Sequence, residues 1–342
     1  MLHGHGDDAY LYTQAIKANF STNIWYGGKS EDLKAFIQAN WDKIHAYPEP
    51  AAESLCDLIA QDLTISPDQV LASNGATEAF YLIAQAFHSK TSTIIVPTFA
   101  EYEDACSVNK HQLNYHNWSD LKATTLFTEG LVWLCNPNNP DGRVVEKTFL
   151  KSLLINNPKC AFVVDEAYID FTDAISSAID LIDEHSNLIL VKSLTKNFSI
   201  PGLRLGYLIS NKDMVQNIRF FKPPWTVNSI AIEAGKYILQ RKQTFLPPVK
   251  QYKSDKKEFV EKLAQIPGLK IWPSKTSYFL IELEKSSASE LKNYLISEFG
   301  LLIRDASNFR GLNNQFIRVA TLSKDKNQLL IDALTQWSKS NS

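Results

Sequence analysis

The segment SLTKNFSIPGLRLGY, residues 193–207, sets Lys196 eight residues before Arg204, with Ser193, Pro201, Gly202 and Gly206 around them. A partly buried lysine near a cation has a depressed pKa, which frees its amine to attack a carbonyl and form a Schiff base. An arginine between apolar neighbours usually has a fixed anionic partner, and a phosphate suits its planar fork. The plainer alternatives are a solvated lysine and a structural carboxylate. The chemistry on offer is covalent capture of an aldehyde that also carries a phosphate.

Pyridoxal phosphate is such an aldehyde, and four other segments offer what its remaining atoms need. DEAYIDF follows an apolar run and puts Asp165 and Tyr168 three residues apart. A buried carboxylate beside a pyridine nitrogen keeps that nitrogen protonated and makes the ring a better electron sink. Asp165 fits that role, and Tyr168 can donate to the ring hydroxyl oxygen. SNGATEAF places Gly75, Ala76 and Thr77 at the start of a helical pattern, where free N–H groups and the helix dipole favour an anion. NPNNPDG supplies the amide of Asn139 between turn-forming residues, and Phe99 in PTFAEY can stack on a flat ring. Taken singly, each is more often a turn, cap or core residue. Arg304 in LIRDASNF and Arg318 in FIRVAT are each flanked by β-forming residues that place them in a shared sheet region. Two guanidinium groups imply a substrate with two acidic groups, against the commoner fate of a structural salt bridge.

The elements that position these residues follow from hydrophobic spacing. Apolar runs predict strands at 93–96, 131–135, 161–164, 188–191 and 205–209, and three-to-four-residue periodicity predicts helices at 77–87, 102–109, 146–156 and 214–221. Their alternation gives an α/β class with a mostly parallel sheet covered on both faces. Ligands of such sheets bind beyond the carboxyl ends of the strands, where Phe99, Asn139, Asp165 and Lys196 all fall. After Pro223 and Pro224 the texture changes to a long polar helical stretch, 229–266, then KIWPS, YFLIEL and FIRVAT. The expected organisation is a large domain at 45–225, with 1–44 and 226–342 forming an N-terminal arm and a smaller α+β domain. The arm is expected to pack on that second domain or on another subunit.

Lys plus Arg number 35 and Asp plus Glu 37, a net charge of -2, which gives no electrostatic basis for a nucleic-acid partner. A small molecule is the expected ligand. Cys56, Cys106, Cys135 and Cys160 form no CxxC pair, so neither a zinc site nor a disulfide framework is suggested. No apolar stretch approaches the ~20 residues that span a bilayer, and the start lacks a basic-then-apolar leader. The expectation is a cytoplasmic protein with reduced thiols and no membrane partner.

Together the motifs resemble the fold type I pyridoxal-phosphate enzymes of the class I and II aminotransferase superfamily. The branch they resemble contains histidinol-phosphate aminotransferases and threonine-phosphate decarboxylases. The resemblance covers nearly the whole chain, with SNGATE, PTFAEY, NPNNPDG, DEAYIDF and SLTKNFSIPGLRLGY in the family's order. It implies Lys196 as the Schiff-base lysine, Asp165 on the pyridine nitrogen, Asn139 and Tyr168 at the ring oxygen, and Phe99 on the ring face. It implies phosphate contacts from Gly75, Ala76, Thr77, Ser193 and Arg204. Tyr47, in HAYPEP, matches a tyrosine that reaches the cofactor phosphate of the neighbouring subunit, which implies a homodimer with shared active sites.

IPGLRLGYL, PPWTVN, LIRDASNFRGL and the histidine-glycine start resemble the decarboxylase side of the branch. There His5, Asn23, Arg304 and Arg318 match positions that hold the substrate's phosphate and carboxylate, with His3 the other histidine on offer. The implied activity is decarboxylation of L-threonine O-3-phosphate to aminopropanol phosphate in cobalamin biosynthesis. The alternatives are a histidinol-phosphate or related aminotransferase, and a non-catalytic binding protein that kept the fold. Two departures stand out. Asp141 occupies a usual threonine position and is expected to perturb the turn more than the chemistry. NIWYGG follows Asn23 where a proline-containing turn is usual, which bears on the local substrate fit.

Overall fold

Segments that are apolar on both faces become the inner strands of a sheet buried between helices. The computed structural model describes residues 7–28 and 30–340, so His3 and His5 lie outside the described residues. The strands of the first two-thirds are β1 (Ala18–Asn19), β2 (Val70–Asn74), β3 (Thr91–Val96), β4 (Gln112–Asn117), β5 (Gly130–Cys135), β6 (Cys160–Asp165), β7 (Leu188–Ser193) and β8 (Leu205–Ile209). Seven of them form one sheet in the order β2-β8-β7-β6-β5-β3-β4. Its pairs are parallel except that β8 runs antiparallel to both β2 and β7.

Helices cover both faces: α1 (Glu31–Ala39), α2 (Glu53–Leu63), α3 (Gly75–Ala86), α4 (Glu101–Val108), α5 (Lys147–Asn156), α6 (Lys212–Arg219) and α7 (Ser229–Gln240). On one face Leu55, Leu153 and Ile238 from α2, α5 and α7 pack with Val132 and Leu190 of the sheet. On the other, Phe80, Tyr102 and Ile218 from α3, α4 and α6 pack with Trp133 and Val191. Each such side chain, fully buried, contributes about 1.5–3 kcal/mol.

The expected strands and helices are all present, most with ends shifted by a residue or two. The stretch 229–266 is a correction. It divides into α7, a short α8 (Lys242–Phe245) and α9 (Val249–Leu263). Pro247 and Pro248 fall in the last break, where a missing N–H and a fixed φ cannot continue a helix.

The C-terminal part adds β9 (Leu269–Ile271), β10 (Tyr278–Leu283), β11 (Leu301–Leu302), β12 (Arg304–Asp305) and β13 (Phe316–Ala320), with α10 (Ala288–Tyr294) and α11 (Lys324–Ser340). Its sheet has the order β12-β13-β10-β9 and is antiparallel throughout. The N-terminal arm packs on this part: β1 pairs in parallel with β11, and Ala18 and Phe20 join Phe259, Phe279 and Val319 in a separate core. Among the described residues no helix is long and apolar enough to cross a membrane.

Candidate active site

Five segments deliver candidate site residues to one edge of the seven-stranded sheet. Ala76 and Thr77 follow β2, Phe99 follows β3, Asn139 follows β5, Asp165 and Tyr168 end and follow β6, and Ser193 and Lys196 end and follow β7. These residues line a cavity of about 290 Å³, together with Arg204, Asn23 and Arg318. Of the other expected site residues, Gly75 lies beneath Arg204, and Arg304 stands across from Arg318 in the β12–β13 register. Tyr47 is not brought to this cavity. It is 87% exposed, its ring is 5.4 Å from that of Trp225, and it lines a separate groove with Ile44 and Asn228.

Lys196 is held by the N-terminal arm. Its carbonyl accepts from the Trp25 amide at 2.9 Å, and the Ser199 hydroxyl donates to the Trp25 carbonyl. Desolvation, then the cations Arg318 and Arg204, lower the Lys196 pKa to about 8 against the opposing pull of Asp7 and Asp165. A neutral, nucleophilic amine is therefore accessible near physiological pH. Asp165 is buried, and burial raises its pKa to about 6, so it remains largely ionised at pH 7. Its Oδ2 accepts from Tyr102 at 2.5 Å and its Oδ1 from the Ala167 amide at 2.9 Å. Burial pushes the Tyr168 phenol up to about 12, so it stays a hydrogen-bond donor.

Arg318 ties the two sheets together. Its Nη1 donates to Asn139 Oδ1 and its Nη2 to the Ser21 carbonyl, both at 2.5 Å. That fixes the Asn139 amide with its nitrogen left to donate elsewhere. Arg318 Nε and Asn23 Oδ1 are buried with no hydrogen-bond partner among the described residues. Asn23 Nδ2 donates to the Tyr168 hydroxyl at 3.4 Å. Arg304 donates to Asn308 at 2.7 Å, and its pKa falls to about 10 through burial and the facing Arg318. Two guanidinium groups held this close favour an anion between or beside them.

Arg204 is exposed rather than enclosed by its apolar neighbours, because a φ of +57° turns it outward at the start of β8. Its guanidinium lies over Gly75, where a Cβ would come 2.5 Å from Nη2. At Gly206 a Cβ would meet the Ala76 amide nitrogen at 2.6 Å, so the glycine lets β8 approach the start of α3. Arg204, Ser193 and the first turn of α3 together make an anion cradle. No carboxylate pairs with Arg204 among the described residues; its recorded bond is to the Pro201 carbonyl at 3.1 Å.

Asp141 turns back into its own turn: Asn138 Nδ2 and the Arg143 amide donate to Oδ1 at 2.9 and 3.2 Å, and Arg143 Nε lies 2.5 Å from Oδ2. In the NIWYGG segment, Trp25 joins a cluster with Tyr168, Phe171 and Tyr252, and Tyr26 donates to Asp255 at 3.0 Å. Aromatic anchoring does there what a rigid turn would do. Sequence reasoning missed Asp7 and Ser21, which also line the cavity, and Tyr102 behind Asp165. Tyr102 falls in the amphipathic pattern of α4, where an aromatic reads as core. Asp7 and Ser21 lie in irregular chain with no such pattern.

The family described as aminotransferase class I and II matches residues 15–334. The threonine-phosphate decarboxylase of Salmonella typhimurium is 31% identical over 333 residues, covering 92% of this chain and 90% of its own. The histidinol-phosphate aminotransferase of Thermoanaerobacter sp. is 30% identical over 305 residues, covering 86% of this chain and 85% of its own. The crystal structure of L-threonine-O-3-phosphate decarboxylase from Porphyromonas gingivalis superposes with a TM-score of 0.91 at 39% identity, covering 94% of this chain and 99% of its own.

Proposed function

The chain belongs to the class I and II aminotransferase family, and from that membership we propose that it is a pyridoxal 5'-phosphate enzyme that decarboxylates L-threonine O-3-phosphate to aminopropanol phosphate for cobalamin biosynthesis. The cavity fits the cofactor part by part. The cradle of Ser193, Arg204, Gly75, Ala76 and Thr77 suits its phosphate, and a Cβ at Gly75 would fill the space Arg204 uses. Asp165 suits its ring nitrogen, Asn139 and Tyr168 its ring oxygen, Phe99 its face, and the depressed Lys196 amine its aldehyde. When bound, pyridoxal phosphate supplies a sink for the electrons of the bond broken at the substrate carbon.

The observation that carries the substrate is the register pairing of Arg304 with Arg318 on adjacent strands. Threonine phosphate presents a phosphate and a carboxylate on one small molecule, whereas histidinol phosphate carries its phosphate ester on the carbon that replaces the carboxylate and so has one acidic group. Arg304 and Arg318 hold those acidic groups, and the unpartnered Asn23 oxygen is left to accept from an N–H or O–H donor of the substrate. His5 is a further substrate contact on the resemblance alone. The carboxylate leaves as carbon dioxide, and Lys196 Nζ returns a proton to the carbon it left. Transamination is the second reading, because an amine placed to return that proton is equally placed to remove one.

Tyr47 and Trp225 belong to an exposed apolar surface with Trp41 and Ile44. We place a second copy of the chain there, with Tyr47 reaching the partner's cofactor phosphate. The four cysteines are buried and free, which suits a reducing cytoplasm.

Purified protein is given threonine phosphate or, separately, histidinol phosphate with 2-oxoglutarate. Carbon dioxide from the first supports the proposal; glutamate from the second without carbon dioxide replaces it with transamination. Bound yellow cofactor with neither product would point to a binding protein. Lys196→Ala is expected to abolish the cofactor's visible absorbance in the protein, and a persisting spectrum would refute Lys196 as its anchor.

A further inference from the structure

Asp165 has a donor that cofactor binding alone leaves unexplained. Tyr102, the second residue of α4, reaches Asp165 Oδ2 at 2.5 Å. Its ring is gripped on three sides: it stacks on Trp133 at 5.4 Å and 17°, and meets Phe80 and Phe99 edge-on at 4.9 and 5.8 Å. Trp133 is fixed in turn. Its Nε1 donates to Ser92 Oγ at 3.2 Å, that hydroxyl lies 2.8 Å from His111 Nδ1, and His111 Nε2 lies 2.8 Å from the Ala84 carbonyl. A buried tyrosine needs some acceptor, and a backbone carbonyl would satisfy it. Here the acceptor is a carboxylate at the floor of the cavity, and packed rings set the donor's aim.

We propose that Tyr102 is a positioning residue for Asp165, its hydroxyl keeping that carboxylate ionised and fixed in orientation for the ring nitrogen of the bound cofactor. The inference rests on the pyridoxal phosphate reading above. The groups facing Asp165 are Tyr102 from α4, Cys135 from β5, the adjacent Glu166, Tyr168 after β6 and Lys196 after β7. Burial and Glu166 raise the Asp165 pKa, while Tyr102 and Lys196 lower it. Burial holds the Cys135 thiol and the Tyr102 and Tyr168 phenols in their neutral forms. A hydrogen bond to the charged form favours that form, so removing the Tyr102 hydroxyl moves the Asp165 ionisation upward, from about 6 into the neutral range.

Tyr102→Phe removes one oxygen and keeps the ring. The dissociation constant of pyridoxal phosphate is measured from about pH 5.5 to about pH 8.5 in the wild type, Tyr102→Phe, Asp165→Asn and the double variant. Tyr102→Phe should weaken binding about tenfold near neutrality and shift the acid limb up by about one pH unit, with recovery in alkali. In the Asp165→Asn background it should change binding by less than about twofold. A pH-independent loss, or the same loss without the carboxylate, would overturn the proposal and leave Tyr102 as packing. Wild-type protein that binds no pyridoxal phosphate would instead sink the cofactor reading itself. Should Tyr102→Phe not fold, 3-fluorotyrosine at position 102 keeps the shape and strengthens the donor. The acid limb should then move down, and an unmoved limb counts against the proposal.

Discussion

Lys196 pays in stability for its reactivity. Its pKa of about 8 in the folded chain lies below the ordinary 10.5, so the folded state binds fewer protons between those values than the unfolded state does. The contribution is present above about pH 10.5 and is lost as pH falls through about 8. At pH 7 the full penalty applies. Lys196→Met should therefore stabilise the cofactor-free protein at pH 7 by about 2–3 kcal/mol, with the gain shrinking toward pH 10, as read from urea unfolding midpoints. An unchanged midpoint would mean that the cavity does not penalise the ammonium. Lys196, Asp165 and Asn139 were legible in the sequence because each is a polar residue at or in the loop just beyond the end of an apolar run, where ligands of such sheets bind. Tyr102 was not, since an aromatic on an amphipathic helix reads as core, and only the fold shows that its hydroxyl meets a carboxylate.

At the level of elements, the anion cradle depends on how closely β8 approaches the start of α3. A Cβ at Gly206 would meet the Ala76 nitrogen at 2.6 Å and the Lys192 carbonyl oxygen at 2.8 Å, and neither is a side chain that can swing aside. Gly206→Ala should cost about 1–3 kcal/mol and weaken pyridoxal phosphate binding, measured by thermal unfolding and by titration of the cofactor. Gly202, which has nothing within 4 Å of an added Cβ, is the control, and Gly202→Ala should stay within about 0.5 kcal/mol. Equal effects at both positions would count against close packing as the cause. Strands β5 to β8 were readable because they are apolar nearly throughout. β2 was missed because VLASN is half small and polar residues, although it is almost wholly buried. β4 was missed because QLNYHN is an edge strand, partly exposed along its length, with none of the β-branched residues that mark a buried strand.

For the molecule as a whole, the apolar surface around Ile44, Tyr47 and Trp225 is exposed in the single chain. Sedimentation should show a dimer, and Ile44→Asp with Trp225→Asp should shift it toward monomer with loss of cofactor affinity. A wild type that sediments as a monomer, or a double variant that stays dimeric, would place the contact elsewhere. The sequence could suggest this surface only through the likeness of HAYPEP to a family motif, because exposure is a property of the folded chain. The reversed strand β8 has a consequence of a different kind. β8 runs antiparallel to β7 and follows it through residues 194–204, so the beginning of β8, not its end, lies at the cavity. The proposed covalent anchor, Lys196, and the proposed phosphate contact, Arg204, thus share one length of chain. An insertion or deletion within 194–204 would disturb both at once, whereas the contacts at the ends of β3, β5 and β6 can be altered one at a time. That loop is where this chain should tolerate length change least.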